Sequence, residues 1–540
     1  MVNRGRRTKA QSVVAPIGGL NDADSIADMP PTDAITLDNW FPGTQSVDVR
    51  GGSVEWATGM STKGETLMTY SGVYSGSQVK KIFAAAGGNI YDVTLNTIPL
   101  TSTVISGKTN ARWDYVNFAN AVGSYLVAVN GADMPIFYNG YAWAASGVGY
   151  ATAITGVTAS LFTQVSVWKN RLFFVEKNSL SCWYLVANAI GGAAAELDFG
   201  PVAKLGGTLI ATGTITTSAG LTLDDYFVAI TSEGECLVYR GTDPSDPAKF
   251  ALVGNYRIGR PIANGSDNQG GRWLTKLGAD IVAITADGFT TLQGMLNADV
   301  VAQRKTINDK IINSVTNAVS AYKSNFGWQA LLCPAQNKLI INVPAAVASG
   351  SSPGQSLQFV MNTITGAWCR FTNWNATCFA YFQDEIYAIS GNNVYKVDVA
   401  GANDFMSNTS TGSPIFANAK TAFIYFGGRG EQKQFQMARA LISSPGAIAP
   451  LMNINTNLSD EVIEGTLDLS SAGDSGTWNY STWQPGTATA TWAHDTLLHQ
   501  DWTNVNGIGY SASLKIQLYL STNACKWNGW EIMYSKGGLL

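Results

Sequence analysis

At 540 residues the chain is too long for one ordinary hydrophobic core, so it needs two or three domains or one repetitive architecture. Only 13% of its residues are charged, against about 25% in typical soluble domains, whereas 46% are hydrophobic, 11% are aromatic and 56 are glycine, which points to an all-β protein with many short strands and tight turns. The net charge is −4, and with the four cations of the first nine residues set aside the rest carries −8, which argues against a reader of nucleic-acid sequence, since phosphate contacts need a basic face.

The chain opens with Arg4, Arg6, Arg7 and Lys9 and no acid. The apolar run that follows, Val13-Val14-Ala15, is cut short by Pro16, Gly18 and Gly19, so no signal-peptide core forms. No run of about 18 apolar residues exists anywhere, and no membrane span is expected. The basic start reads first as a disordered tail and second as an arm that orders against a partner subunit. These four cations, with Trp40 and Phe41, are the candidate partner contacts.

From residue 80 to 400 a short apolar strand, a Gly/Asn/Asp turn and an aromatic-bearing strand recur. The units run from Ile82 to Tyr91, from Tyr125 to Tyr138, from Arg171 to Tyr184, from Tyr226 to Tyr239 and from Asp280 to Leu292. Two more follow, from Lys338 to Met361 and from Phe379 to Val397. Each reads as a β-hairpin whose turn needs positive φ. Their spacing is close to the ~40–50 residues of propeller blades. The expectation is an irregular β-propeller of six or seven blades over residues 51–405, after an N-terminal arm and first strand in residues 1–50. A pair of β-sandwiches with similar hairpins is the competing architecture.

One segment breaks the pattern. Ile307, Ile311, Val315, Val319 and Tyr322 recur at helical spacing, which predicts an amphipathic helix over about 306–322, inserted between blades. It is expected to cover the propeller's flank, with docking to a neighbouring subunit as the second option. Beyond a polar junction at 401–413, residues 406–540 read as a C-terminal β-sandwich-like domain. Its clearest strand is Ser513 to Leu520, where Leu514, Ile516, Leu518 and Leu520 alternate with other side chains.

Candidate chemistry is sparse. The six cysteines are scattered without a C-x-x-C pair, as in a chain assembled in a reducing cytosol. The two histidines, His494 and His499, are spaced by five and make no ready metal pair. Asp22 with Asp24, Asp224 with Asp225 and Glu233 with Glu235 could in principle serve as glycosidase acid and base, but each falls in a turn where acids are ordinarily solvated. Asp243-Pro-Ser-Asp-Pro247 lacks calcium-loop spacing, and Gly427-Gly-Arg-Gly430 lacks the Lys-Ser/Thr of a phosphate loop. No catalytic residue, metal or cofactor is assigned.

Several runs carry a resemblance. They are Ala15 to Asn21, Met29 to Pro42, Val47 to Ser53, Lys169 to Glu176, Ile190 to Asp198, Tyr239 to Pro244 and Tyr256 to Pro261. With the order of hairpins, the inserted helix and the β-rich C-terminal part, these resemble the tail hub or nozzle proteins of short-tailed bacteriophages, the packaged-DNA stabilisation family. The resemblance implies a structural virion protein, assembled in the host cytoplasm into the tail, with no catalytic residues. It implies a homo-oligomeric ring of six copies below the portal and adaptor proteins. That ring would extend the DNA channel, dock tail fibres or spikes and tail-tip proteins, and retain the genome until ejection, with double-stranded DNA passing unread. The competing function is a carbohydrate-binding or carbohydrate-cleaving propeller.

Overall fold

The computed structural model describes residues 8–100, 103–219, 222–262, 271–292, 306–345, 357–446, 448–463, 469–471, 475–476, 491–492, 497–521 and 524–536. The chain is all-β, arranged as a β-propeller with six separate blades and one short helix. Blade 1 holds strands Gly64–Tyr74, Ser77–Ala86 and Asn89–Asp92, and blade 2 holds Asp114–Ala119, Ser124–Val129, Ile136–Tyr138 and Trp143–Ala145. Blade 3 is Phe162–Trp168, Arg171–Glu176, Ser181–Tyr184 and Ala195–Asp198; blade 4 is Leu209–Ala219, Thr222–Thr231, Glu235–Gly241 and Phe250–Arg257. Blade 5 is Leu274–Leu277, Asp280–Thr285 and Gly288–Thr291.

The next place in the ring is taken by Gln329–Cys333, Lys338–Val343, Leu357–Asn362 and Trp368–Thr372, four strands of a longer bridging sheet. Blade 6 then combines Cys378–Phe382, Glu385–Ser390 and Asn393–Val399 with Gly52–Ala57 from the far end of the propeller sequence. Neighbouring places touch in this order, inner strand to inner strand except that Leu209–Ala219 of blade 4 meets Asp280–Thr285, the middle strand of blade 5, and the last place meets the first, so the ring closes.

Local chemistry explains the blades. The hairpins Phe162–Trp168/Arg171–Glu176 and Cys378–Phe382/Glu385–Ser390 turn on two residues each. Both residues have positive φ (Lys169 and Asn170, Gln383 and Asp384), the backbone that matches strand twist. Middle strands are apolar on both faces because each face meets a different neighbour. In blade 1, Phe83 and Ala85 pack toward blade 2 while Ile82, Ala84 and Ala86 pack toward blade 6. In blade 2, Leu126 and Ala128 face blade 1 and Val127 and Val129 face blade 3. The period of two thus assigns successive side chains to successive blade interfaces.

The predicted helix is present. A 3₁₀ turn (Asp309–Ile311) leads into helix α1 (Ile312–Tyr322), which buries Val315, Ala318 and Val319 after Ile311. Its amino end is capped from a distant part of the chain: Asp22 accepts the Asn313 N–H (3.1 Å) on one carboxylate oxygen and the Ser314 N–H (2.7 Å) on the other.

The bridging sheet continues past Trp368–Thr372 through Asp33–Asp38, Ile415–Thr421, Ala512–Ser521 and Leu451–Thr456. A second, seven-stranded sheet holds Thr8–Val14, Trp40–Pro42, Val47–Val49, Lys433–Ser444, Leu497–His499, Thr503–Gly509 and Lys526–Lys536. The two form the C-terminal sandwich-like part: Ala417, Leu514, Ile516 and Leu518 of one share a core with Ala438, Ile442, Trp530 and Ile532 of the other. The stretch before residue 50, read from the sequence as an arm with a first strand, supplies strands to both sheets. Local periodicity shows that a strand exists but not which distant strand it pairs with. All six cysteines are buried free thiols. Among the described residues no helix is long and apolar enough to cross a membrane.

Candidate functional site

Arg4, Arg6 and Arg7 lie outside the described residues. Lys9 is exposed on Thr8–Val14, opposite Tyr534 in register. Trp40 is not on a surface at all. Its exposure is 0%, and its ring lies 5.6 Å from that of Trp527, so it is a core residue of this chain. Phe41 is half-buried, with the Lys338 ammonium 4.8 Å from its ring centroid and Phe371 edge-on at 6.5 Å.

Next to these aromatics is a buried polar assembly, which the sequence did not announce. Arg50 is fully buried and ion-paired with Asp404 at 2.6 Å. Its Nε donates to Asn39 Oδ1, Nη1 to Gly51 O and Asp404 Oδ1, and Nη2 to Thr372 O and Asp404 Oδ2. That uses all five guanidinium donors. Trp374 stacks on the guanidinium at 4.7 Å, and Asn373 Nδ2 donates to Asp404 at 2.8 Å. A second buried pair, Lys338 with Asp398, lies beside the first, and Asp398 also accepts the Gly51 N–H at 2.8 Å. Burial alone would raise the Asp398 carboxyl, but the Lys338 charge and hydrogen bond, the Gly51 amide and Arg50 outweigh it and hold the group below its ordinary range. The two pairs tie residues 39–51, the bridging sheet, blade 6 and the 403–404 loop into one joint.

Around the propeller axis, each junction is crossed by a hydrogen bond. Thr66 Oγ1 donates to Ala111 O (2.5 Å) between blades 1 and 2. Asp114 accepts the Val165 N–H (2.9 Å) from blade 3 and the Gly271 N–H (2.8 Å) on its other oxygen. Gln164 exchanges bonds with the Thr212 backbone between blades 3 and 4. The Thr216 N–H donates to Ala279 O, and the Ala330 N–H to Arg272 O. Gln329 exchanges bonds with the Phe379 backbone (2.7 and 2.8 Å), and Thr377 Oγ1 donates to Gly64 O (2.7 Å), which returns to blade 1.

Asp114 has the chemistry that most resembles an active-site acid. Burial pushes its carboxyl up to about 6, against the opposing pull of the Val165 and Gly271 amides and the Arg272 charge. Both of its oxygens are nonetheless occupied by backbone N–H groups, so the arrangement holds blades rather than offering a free acid to a substrate.

Of the acids flagged in the sequence, the Asp224 side chain lies outside the described residues and Asp24 accepts from Asn21 Nδ2. Asp22 caps α1, Asp225 bonds Thr216 and Lys169, Glu233 pairs with Arg260, and Glu235 accepts the Lys204 and Leu205 N–H groups and Asn255 Nδ2. Among the described residues no group of three or more His, Cys, Asp or Glu is placed to hold a metal ion. His499 Nε2 lies 3.0 Å from Gly446 O, and His494 falls outside the described residues. The signal that could have found the joints is a polar residue inside an otherwise buried run, as with Gln164 and Gln329.

The outward-facing candidate is apolar. On neighbouring hairpin tips of blades 1 and 2, Val122 is 85% exposed and Tyr141 75% exposed, with Val73 beside them. Tyr74 stacks on Tyr141 at 5.5 Å and 10°, and the Val73 N–H reaches Ser124 Oγ at 3.4 Å, which makes one continuous rim patch. Leu252 and Val253 are bare on Phe250–Arg257, the outer edge of blade 4.

No protein-family model and no curated protein matches the sequence. Among solved structures, the β-propeller domain of Cps50 (Swd1) from Myceliophteria thermophila is 10% identical, with 64% of this chain aligned to 100% of that one at a TM-score of 0.37. YCF48 bound to D1 peptide is 8% identical over 70% of this chain and 98% of that one, at 0.33. The extracellular domain of a putative hybrid two-component system from B. thetaiotaomicron is 12% identical over 67% and 42%, at 0.36. Likeness of that degree says nothing of this chain's role; the ring rests on its own strand pairing.

Proposed function

We propose that the chain is a structural subunit that works by shape and contact, and that it forms the ring-like tail hub or nozzle of a short-tailed phage. The observation that carries the assembly reading is the rim patch of Val73, Tyr74, Val122 and Tyr141, because a contiguous apolar and aromatic surface marks an interaction site. The polar joints support it too: a wheel whose junctions are crossed by buried hydrogen bonds is a stiff part, suited to bearing load. The particular place, a six-copy ring below portal and adaptor that passes DNA and docks fibres or spikes, rests on the resemblance of the quoted sequence runs. Mass measurement of the native particle, with images of its symmetry, tests the reading. Rings of defined copy number are expected. A chain that stays single at high concentration and binds or cleaves a sugar would overturn it.

A further inference from the structure

Strand Thr8–Val14 is held in an unusual way. Six of its seven residues are exposed, and Val13 alone is partly buried against the core, so the strand is largely bare on both faces. It is attached by an antiparallel main-chain ladder to Lys526–Lys536, running from Thr8 opposite Ser535 to Val14 opposite Gly529. Two side-chain bonds are added: Ser12 Oγ donates to Glu531 (2.9 Å), and the Tyr534 hydroxyl to Gln11 Oε1 (3.4 Å). The edge it covers is well prepared. Trp530, Ile532 and Tyr534 on Lys526–Lys536 are anchored in the core, and Lys433–Ser444 fixes that strand from the other side. After Val14 the chain runs through Ala15-Pro16-Ile17-Gly18 to Gly19, whose φ of +84° sets the turn and where a Cβ would meet Trp368 O at 2.6 Å.

A strand that contributes little burial yet completes a rigid edge is suited to exchange, because every copy of the chain offers the same edge and the same strand. We propose that in the assembly Thr8–Val14 is exchanged between copies, so that the strand of one chain pairs with Lys526–Lys536 of the copy beside it. This rests on the assembly reading above and names the segment that joins its members. The link from Val14 to Gly19 spans at most about 17 Å, so the donor reaches only a copy docked directly alongside. The bare faces of the strand are then covered by the contact that the exchange creates, and the acceptor edge stays sealed in every copy.

Cysteine pairing in the full-length protein tests this. Ala10 and Met533 face each other in register, within disulfide reach for antiparallel neighbours. The six native thiols are buried and stay out of the reaction. Two chains are co-expressed, one carrying Ala10→Cys and the other Met533→Cys, and the assembly is oxidised before denaturing electrophoresis. Exchange predicts a band shift from 57.4 kDa to about double, formed between the two kinds of chain. The double variant Ala10→Cys/Met533→Cys on one chain should link chains in series. A double variant that closes only within its own chain overturns the exchange. If it does so inside an intact oligomer, the assembly reading stands; if the chain is a monomer, both fall. Ser12→Cys with Glu531→Cys gives a second register pair should the first disturb folding.

Discussion

Arg50 and Asp404 depend on each other in a way that surface ion pairs do not. With Asp404→Ala the guanidinium stays buried, with two of its five donors unanswered, and the expected loss is about 3–5 kcal/mol by denaturant unfolding. Arg50→Met together with Asp404→Leu removes both charges and should cost far less than the two single losses combined. Asp114 behaves differently, because its carboxyl is raised to about 6 from 3.8. Between those values the folded chain keeps a proton that the unfolded chain gives up, so stability falls as pH rises through that window, by up to about 3 kcal/mol. Asp114→Asn should shrink the difference in melting temperature between pH 4.5 and pH 7. An unchanged difference would show that Asp114 is not the group that titrates. None of these residues was singled out from sequence, because burial of a charge depends on what packs over it. Trp40 shows the converse: a candidate partner contact from the sequence, it is covered by Trp527.

Elements were easier to read than residues. The stripe Ile311, Val315, Val319 sufficed for α1, and paired apolar runs around Gly or Asn sufficed for the hairpins, since both signals are local. What escaped the sequence was the partner of each edge. Gly52–Ala57 closes blade 6, and Asp33–Asp38 bridges the propeller to the C-terminal part, and no residue pattern announces either pairing. The cap of α1 is another long-range relation. Asp22→Ala removes acceptors for the second and third amides of the helix, and a loss of about 1–2 kcal/mol is expected. Hydrogen exchange at Asn313 and Ser314 should quicken while the blade strands stay protected. Equal exchange in the variant would mean that the cap adds nothing.

For the molecule as a whole, closure of the ring and its outward contacts are separable. A Cβ on Gly52 would stand 2.2 Å from Ala402 O and 2.3 Å from Asn403 O. Gly52→Val should therefore loosen blade 6 by about 1–3 kcal/mol and admit protease at the closing strand. By contrast, Val122→Asp with Tyr141→Asp alters exposed tips alone. That pair should lower the native mass of the assembly while the melting temperature stays within about 1–2 °C of the parent, as expected for surface substitutions. A particle of undiminished mass would remove the rim patch from the interface.

The closing strand also sets a timetable for the newborn chain. Gly52–Ala57 leaves the ribosome roughly 340 residues before Val399, and Thr8–Val14 waits longer still for Lys526–Lys536. At ~5–20 residues per second the closing strand stays unmated for about 20–70 s. A nascent chain arrested before Asn393 should leave that strand open to nicking, and release of the remainder should shut it.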